Sequence, residues 1–262
     1  MFMPTVIIAT DFSESSLNAA QYAYDMFKNQ QNTTLILYHF YNPVSDLASE
    51  REALDDLKAK FSGDSLTVET LLESGDDFIE SLAAFAHVRA AYMIVMGLVG
   101  KTAMEQRFSG GNTLKMAERS ICPVLIVPSQ AVYKSTSNVL ITSEMKYVHE
   151  TPVLMAVKKI LSDFKPSLHI LNVDSEHYIS LTEEVKAERD KMEVLLAEFN
   201  PEFYFMRLYD FHEAVDLFTA DKNIDMIIIE PKYHSFFDNL FKTQHAKSLI
   251  YHSKVPVLAI HE

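Results

Sequence analysis

The 262 residues carry 36 acidic against 23 basic side chains, a net charge of -13, and 48% of them are hydrophobic. Such a charge repels the phosphate backbone of nucleic acid and anionic lipid headgroups, so neither nucleic acid nor a membrane surface is an expected partner. A single cysteine, Cys122, excludes an internal disulfide and a paired-cysteine zinc site and fits a reducing compartment; with no leader-like opening and no apolar run of about eighteen residues, a soluble, cytoplasmic protein is expected.

Thr5 to Ala9 is a short apolar run rich in β-branched residues, which suits a strand buried on both faces. Thr10 to Ser16 follows, and Leu17 to Phe27 then carries apolar residues at helical spacing, with Ser13 or Ser15 as N-cap. Thr34 to Phe40 reads as a strand, Leu47 to Phe61 as a charged amphipathic helix and Leu66 to Leu72 as a weakly alternating strand. Asp76 to Ala86 is a helix whose leading aspartates suit its positive end. Met93 to Met96 and Pro123 to Val127 complete five strands. Strands alternating with helices predict an α/β fold with a mainly parallel sheet and helices on both faces.

The second half repeats the first at a constant offset of 133 residues. Thr5 to Ala9 maps onto Asn138 to Thr142, Leu35 onto Leu168, Phe78 onto Phe211, Glu80 onto Glu213, Met93 onto Met226, Phe108 onto Phe241, and Pro123-Val124-Leu125 onto Pro256-Val257-Leu258. One offset without net insertion signals duplication, predicting two tandem open α/β sandwich domains, 1-133 and 134-262, with Ser129 to Ser137 as linker. Both halves are acidic, with 9 basic and 16 acidic residues through Tyr133 and 14 and 20 after it.

All six glycines lie in the first half, and Gly97, Gly100, Gly110 and Gly111 lie within fifteen residues of one another. Glycine permits positive φ and lets backbone amides approach a ligand, so a strand, a glycine-bearing loop and a helix, expected over Leu114 to Ser120, suit phosphate binding. Asn112 and Thr113 add short polar groups, Lys101 and Arg107 add charge, and Asp11 ends the first strand, where open α/β sheets bind ligands. Each charge-assisted contact contributes about 1.5 to 3 kcal/mol. The plainer alternative is that the glycines make turns and Asp11 caps a helix. In the repeat Gly97, Gly100, Gly110 and Gly111 become Glu230, Tyr233, Thr243 and Gln244, and Asp11 becomes Glu144, which predicts one retained site and one filled copy.

The Gly-x2-Gly-x9-Gly spacing, set between an apolar strand and a helix that leads into Cys122-Pro123-Val124-Leu125-Ile126-Val127, and the opening strand followed by Thr10-Asp11-Phe12-Ser13-Glu14, resemble the universal stress protein family. The resemblance implies a Rossmann-like, adenine nucleotide alpha hydrolase-like fold binding ATP, ADP or AMP, with or without magnesium, as a module in stress response. Two such domains in one chain would form an intramolecular pseudo-dimer, which leaves room for a homodimer of the whole chain. It places Ala9, Thr10 and Asp11 beside adenine and ribose, Phe40 against adenine, and Met96, Gly97, Gly100, Gly110, Gly111 and Asn112 around ribose and phosphates. One departure is Gly111, which stands where the family's binders usually carry Ser or Thr; Thr113 is the neighbouring hydroxyl that could compensate. The family pattern supplies no evident catalytic base or nucleophile, so any ATP hydrolysis is expected to be slow. A nucleotide-free interaction scaffold is the alternative of a different class.

The second half holds eight of the ten histidines, among them His234, His245 and His252. These read as surface or capping residues, because a metal site requires converging ligands. The clustered phenylalanines, including Phe199, Phe203, Phe205, Phe236, Phe237 and Phe241, read as core or interface packing rather than a lipophilic ligand site. Cys122 reads as buried.

Overall fold

A computed structural model describes residues 4–41, 46–61, 66–98, 110–119, 121–146, 148–149, 151–174, 181–208, 210–229 and 249–260. The chain divides into two compact units, Met1–Lys134 and Ser135–Glu262.

In the first unit the elements run β1 (Thr5–Ala9), α1 (Glu14–Phe27), β2 (Thr34–Phe40), α2 (Leu47–Phe61), β3 (Thr67–Glu73), α3 (Phe78–Val88), β4 (Met93–Leu98), α4 (Gly110–Ala117) and β5 (Val124–Pro128). The strands pair in the order β3-β2-β1-β4-β5, and every pairing is parallel. Parallel strands need helical crossovers that cover both faces. That is why their sequences are continuous apolar runs, with Val6, Ile7, Ile8, Met93, Ile94 and Val95 all fully buried. Chain order reverses between β1 and β4, so the carboxyl ends of these strands border a crevice.

The second unit comprises β6 (Asn138–Thr142), α5 (Pro152–Phe164), β7 (Ser167–Asp174), α6 (Glu183–Leu195), a 3₁₀ turn, β8 (Glu202–Arg207), α7 (Phe211–Asp221), β9 (Met226–Ile229) and β10 (Val257–Ala259). Its order is β8-β7-β6-β9-β10, again parallel. The offset of 133 survives as strand register. Val6 pairs Met93 as Val139 pairs Met226, Ile36 pairs Glu69 as His169 pairs Glu202, and Ile94 pairs Val124 as Ile227 pairs Val257.

The same offset relates residues whose backbone enters the left-handed region. Phe12, Asn32 and Ala90 have φ of 60°, 63° and 45°, and their counterparts Met145, Lys165 and Asn223 have 52°, 50° and 49°. None of the six is glycine, and a bulky side chain at positive φ is uncommon, so coincidence at three turns is a strong mark of duplication. Helix caps repeat too. Asp77 accepts from the N–H groups of Ile79 and Glu80 at the start of α3, and Asp210 accepts from those of His212 and Glu213 at the start of α7.

Three expectations for the glycine-bearing stretch shift. β4 extends to Leu98, so Gly97 belongs to the strand. The helix expected over Leu114 to Ser120 is α4, beginning at Gly110, so Gly110 and Gly111 sit in its first turn although glycine is among the poorest helix formers. Among the described residues no glycine has positive φ, so the freedom invoked for Gly97 and Gly111 is not what those positions use.

Candidate functional site

A cleft of about 200 Å3 opens in the first unit at the carboxyl ends of β1, β2 and β4. It brings together Ala9, Thr10, Asp11, Phe40, Met96, Gly97, Asn112 and Thr113 from the residues expected at the site. Gly110 and Gly111 stand one and two residues before Asn112, at the start of α4. Gly100, Lys101 and Arg107 lie outside the described residues.

Gly97 is explained by proximity. A Cβ there would fall 2.6 Å from the carbonyl carbon of Ser15 and 2.9 Å from the nitrogen of Ser16, with the Ser15 carbonyl oxygen nearer still. Those are backbone atoms of α1, which cannot swing aside as a side-chain tip would, so glycine is what lets α1 pack onto β4. Gly111 is the opposite case, since a Cβ there would meet nothing within 4 Å.

The polar side of the cleft is the β1–α1 turn. The Ser13 side chain caps α1 by accepting from the Ser16 N–H at 3.3 Å. Asp11 Oδ1 in turn accepts from the Ser13 N–H at 3.0 Å and from its hydroxyl at 2.5 Å. Asp11 therefore supports the cap rather than being it. Partial burial pushes its carboxyl up, but hydrogen bonds from Ser13, Ser16 and backbone N–H groups outweigh this and hold it below the usual carboxylate range. An ionised carboxylate at this rim can accept hydrogen bonds from vicinal hydroxyls.

On the apolar side Phe40 from the end of β2 meets Phe78 at the start of α3, ring centroids 5.7 Å apart and edge-on. Behind them Tyr38 lies 6.3 Å from Phe78 and donates its hydroxyl to Glu73 Oε2 at 2.8 Å. Such a wall offers aromatic faces and edges to a flat ring.

Thr113 is almost wholly buried, and its hydroxyl donates to the Gly97 carbonyl at 3.0 Å. Its proton is committed to holding α4 against β4, which removes it as the donor that could compensate for Gly111. Sequence reasoning treated Ser13 and Ser15 as caps only, did not single out Ser16, and saw Phe78 only as one of a repeated pair; all four line the cleft. The available signal was position, because helix starts following strand ends surround the crevice in such sheets.

Cys122 is half-buried, and burial pushes its thiol up to about 12. Among the described residues no three His, Cys, Asp or Glu side chains could together hold a metal ion, and no helix is long and apolar enough to cross a membrane. His234 and His245, and the positions Glu230, Tyr233, Thr243 and Gln244 that would fill the second copy, lie outside the described residues.

Residues 3–128 match the model of the universal stress protein family. A universal stress protein of Methanocaldococcus jannaschii is 28% identical over 137 residues, 47% of this chain and 80% of that protein. The crystal structure of a universal stress protein from Archaeoglobus fulgidus DSM 4304 superposes with a TM-score of 0.71 at 18% identity, covering 100% of this chain and 99% of that one. A universal stress protein crystallised in complex with cAMP is 30% identical, covers 50% of this chain and 100% of its own, and gives a TM-score of 0.40.

Proposed function

This chain belongs to the universal stress protein family through residues 3–128, and on that premise we propose that its first unit binds ATP or another adenine nucleotide and acts in stress response as a nucleotide-dependent binding module. The observation that carries the reading is the composition of the cleft. One wall is aromatic (Phe40, Phe78), the rim bears an ionised carboxylate (Asp11), and the start of α4 lies at Gly110 to Asn112. A base, a ribose and a phosphate need these three things in turn: a stacking surface, an acceptor for vicinal hydroxyls, and unpaired helix N–H groups.

Phe40 and Phe78 would hold the base and Asp11 the ribose. The amides of Gly110, Gly111 and Asn112 would hold the phosphates. Magnesium fits only as a companion of those phosphates, since Asp11 is the one charged side chain among the described lining residues and magnesium commonly binds through substrate phosphates and few carboxylates. No described lining residue is an evident general base or activated nucleophile, so the module reading ranks above slow ATP hydrolysis. In the second unit the equivalents of Asp11, Phe40 and Phe78 are Glu144, Val173 and Phe211; that unit is read as a degenerate universal stress protein domain.

Calorimetry of the whole protein with ATP, ADP and AMP, with and without magnesium, tests this. Dissociation constants in the micromolar range are expected, from a few charge-assisted contacts of about 1.5 to 3 kcal/mol each. Absence of heat with every one of them at millimolar concentration would overturn the proposal and favour a nucleotide-free scaffold.

A further inference from the structure

β8 closes one side of the second unit's sheet: in the order β8-β7-β6-β9-β10 its one neighbour among the described residues is β7. An outer strand turns a row of unpaired N–H and C=O groups outward, and proteins usually blunt such a row with lysine, proline, a bulge or an inward charge. Between its ends Glu202–Arg207 has none of these. Phe203, Tyr204, Phe205 and Met206 follow one another there, and all four are half-buried.

Both faces of the strand carry this surface. Tyr204 lies toward α7, its ring centroid 4.8 Å from that of Phe218, and Lys222 Nζ, just past the end of α7, is 4.9 Å from the centre of the same ring. Side chains alternate along a strand, so Phe203, Phe205 and Arg207 share the other face, which right-handed crossovers assign to α6. α6 covers it thinly. Met192 is the one buried residue of its 13, whereas α2, its counterpart in the first unit, buries Leu54, Leu57 and Phe61.

The charges at the two ends of β8 are not equally engaged. Glu202 accepts the hydroxyl of Tyr204 and is held within its own strand. Arg207 is exposed and makes no hydrogen bond or ion pair among the described residues. β3, the outer strand of the first unit, differs in this respect. Its charged residues are Glu69 and Glu73, with no base, so two copies laid antiparallel about Leu71 would set Glu69 against Glu73 twice, and like charges directly opposite are destabilising.

In an antiparallel pair related by a twofold axis each side chain keeps its face, so the axis passes beside one residue and its own copy. With that residue Phe205, Phe203 meets the partner's Arg207 and Tyr204 meets the partner's Met206, each pair occurring twice, while Phe205 meets its copy. These are cation–π, sulfur–aromatic and aromatic–aromatic contacts, and Arg207 gains a neighbour for its charge. One residue away, with the axis at Tyr204, Glu202 faces the partner's Met206 and Arg207 faces the partner's Pro201, so neither charge is matched. We propose that β8 is a self-association edge: a second copy of this chain adds antiparallel to it, centred on Phe205, joining the second units of two chains into one sheet. The proposal is independent of the nucleotide reading.

The test uses the full chain. A pairing through one short strand belongs to the small, transient class of interfaces, so in analytical ultracentrifugation the wild type should pass from monomer toward dimer as its concentration rises to about 0.5 mM. Arg207→Glu, a change at an exposed position, should weaken the dimer about tenfold through the loss of two cation–π pairs. Single added cysteines read the register, with wild type, which has Cys122 alone, as the control. Opposed residues of an antiparallel pair have Cα atoms about 4.5–5.5 Å apart, within disulfide reach, so Phe205→Cys should give a covalent dimer on oxidation. In Phe203→Cys the two thiols stand about 13 Å out of line along the strand and should not cross-link. A wild type that stays monomeric at every concentration overturns the proposal, as does growth beyond the dimer or a dimer indifferent to Arg207→Glu. Cross-linking stronger in Phe203→Cys or Tyr204→Cys than in Phe205→Cys overturns the register and with it the self-complementary pairing. Should the cysteine variants fail to fold, the comparison of wild type with Arg207→Glu decides.

Discussion

His169→Ile should stabilise the protein, and increasingly so in acid. His169 is only 6% exposed, both ring nitrogens lack a hydrogen-bond partner among the described residues, and Nδ1 stands 3.6 Å from Glu202 Oε2, too far for a bond. A buried polar group left unpaired costs about 1–3 kcal/mol. Against that, the ring packs beside Tyr204 and Phe218 at 5.8 and 6.1 Å, contacts that contribute about 0.5–1.5 kcal/mol each. Isoleucine is the natural substitute because Ile36, at the same register position in the first unit, is 1% exposed. With two unpaired ring nitrogens set against two ring contacts, and isoleucine packing in the ring's place, the net gain at pH 8 is about 1 kcal/mol.

The pH dependence follows from burial, which pushes the His169 imidazole below its ordinary value; Glu202 pulls it up and Lys222 helps keep it down. The unfolded chain therefore takes up the proton more readily than the folded one. Stability is unaffected where both states are neutral, and it falls as pH drops below the unfolded value of about 6.5, by at most about 1.4 kcal/mol per pH unit, until the folded ring is protonated too. Isoleucine cannot titrate, so its advantage should grow by roughly 1 kcal/mol between pH 8 and pH 5.5. Urea unfolding followed by circular dichroism at the two pH values measures it. A variant less stable than wild type at pH 8, or an advantage that does not grow in acid, would refute the reasoning.

Gly97→Ala should cost about 3 kcal/mol or more, or displace α1, because its Cβ meets the Ser15 backbone. Gly111→Ala, with open space at the same atom and a helical backbone to join, should gain about 0.5–1 kcal/mol; urea midpoints of the two variants should move in opposite directions. Cys122, whose thiol burial pushes up to about 12, should resist iodoacetamide at pH 8 in the native protein and react on unfolding, and rapid native labelling would contradict its burial.

The sheet was legible because two-sided burial leaves little choice of residue. Thr34–Phe40 and Leu47–Phe61 have the bounds that periodicity predicts, and the offset of 133 reappears as register. What escaped reading is set by tertiary contact rather than local preference. Gly110 and Gly111 look like loop by propensity, yet Thr113 ties their helix to β4 through the Gly97 carbonyl. Gly97 looks like a turn former but is a strand residue shaved for the approach of α1. Phe12 carries no sequence signal for positive φ, since aromatic residues avoid it; Thr10 Oγ1 holds its N–H and His39 holds the carbonyl two residues earlier. The capping role offered for Asp11 proved indirect for a similar reason, because Ser13 takes the cap and Asp11 the serine.

The two units show which contacts a duplicated fold keeps and which it leaves free. Both retain a positive-φ residue after β1 or β6, a hydroxyl two residues before it that accepts its N–H, and a side-chain donor from the neighbouring strand that grips the carbonyl. That arrangement satisfies backbone groups where a parallel strand turns into a helix, and an unpaired one would cost about 1–3 kcal/mol. Beyond the turn the partners diverge. Asp11, Ser13 and Ser16 in the first unit correspond to Glu144, Lys146 and His149 in the second. The chemistry of the cleft rim is therefore not required by the turn. The adenine-nucleotide site proposed for the first unit and a degenerate copy in the second are compatible with one turn, because His39 and Asn172 donate to corresponding carbonyls, those of Thr10 and Ser143.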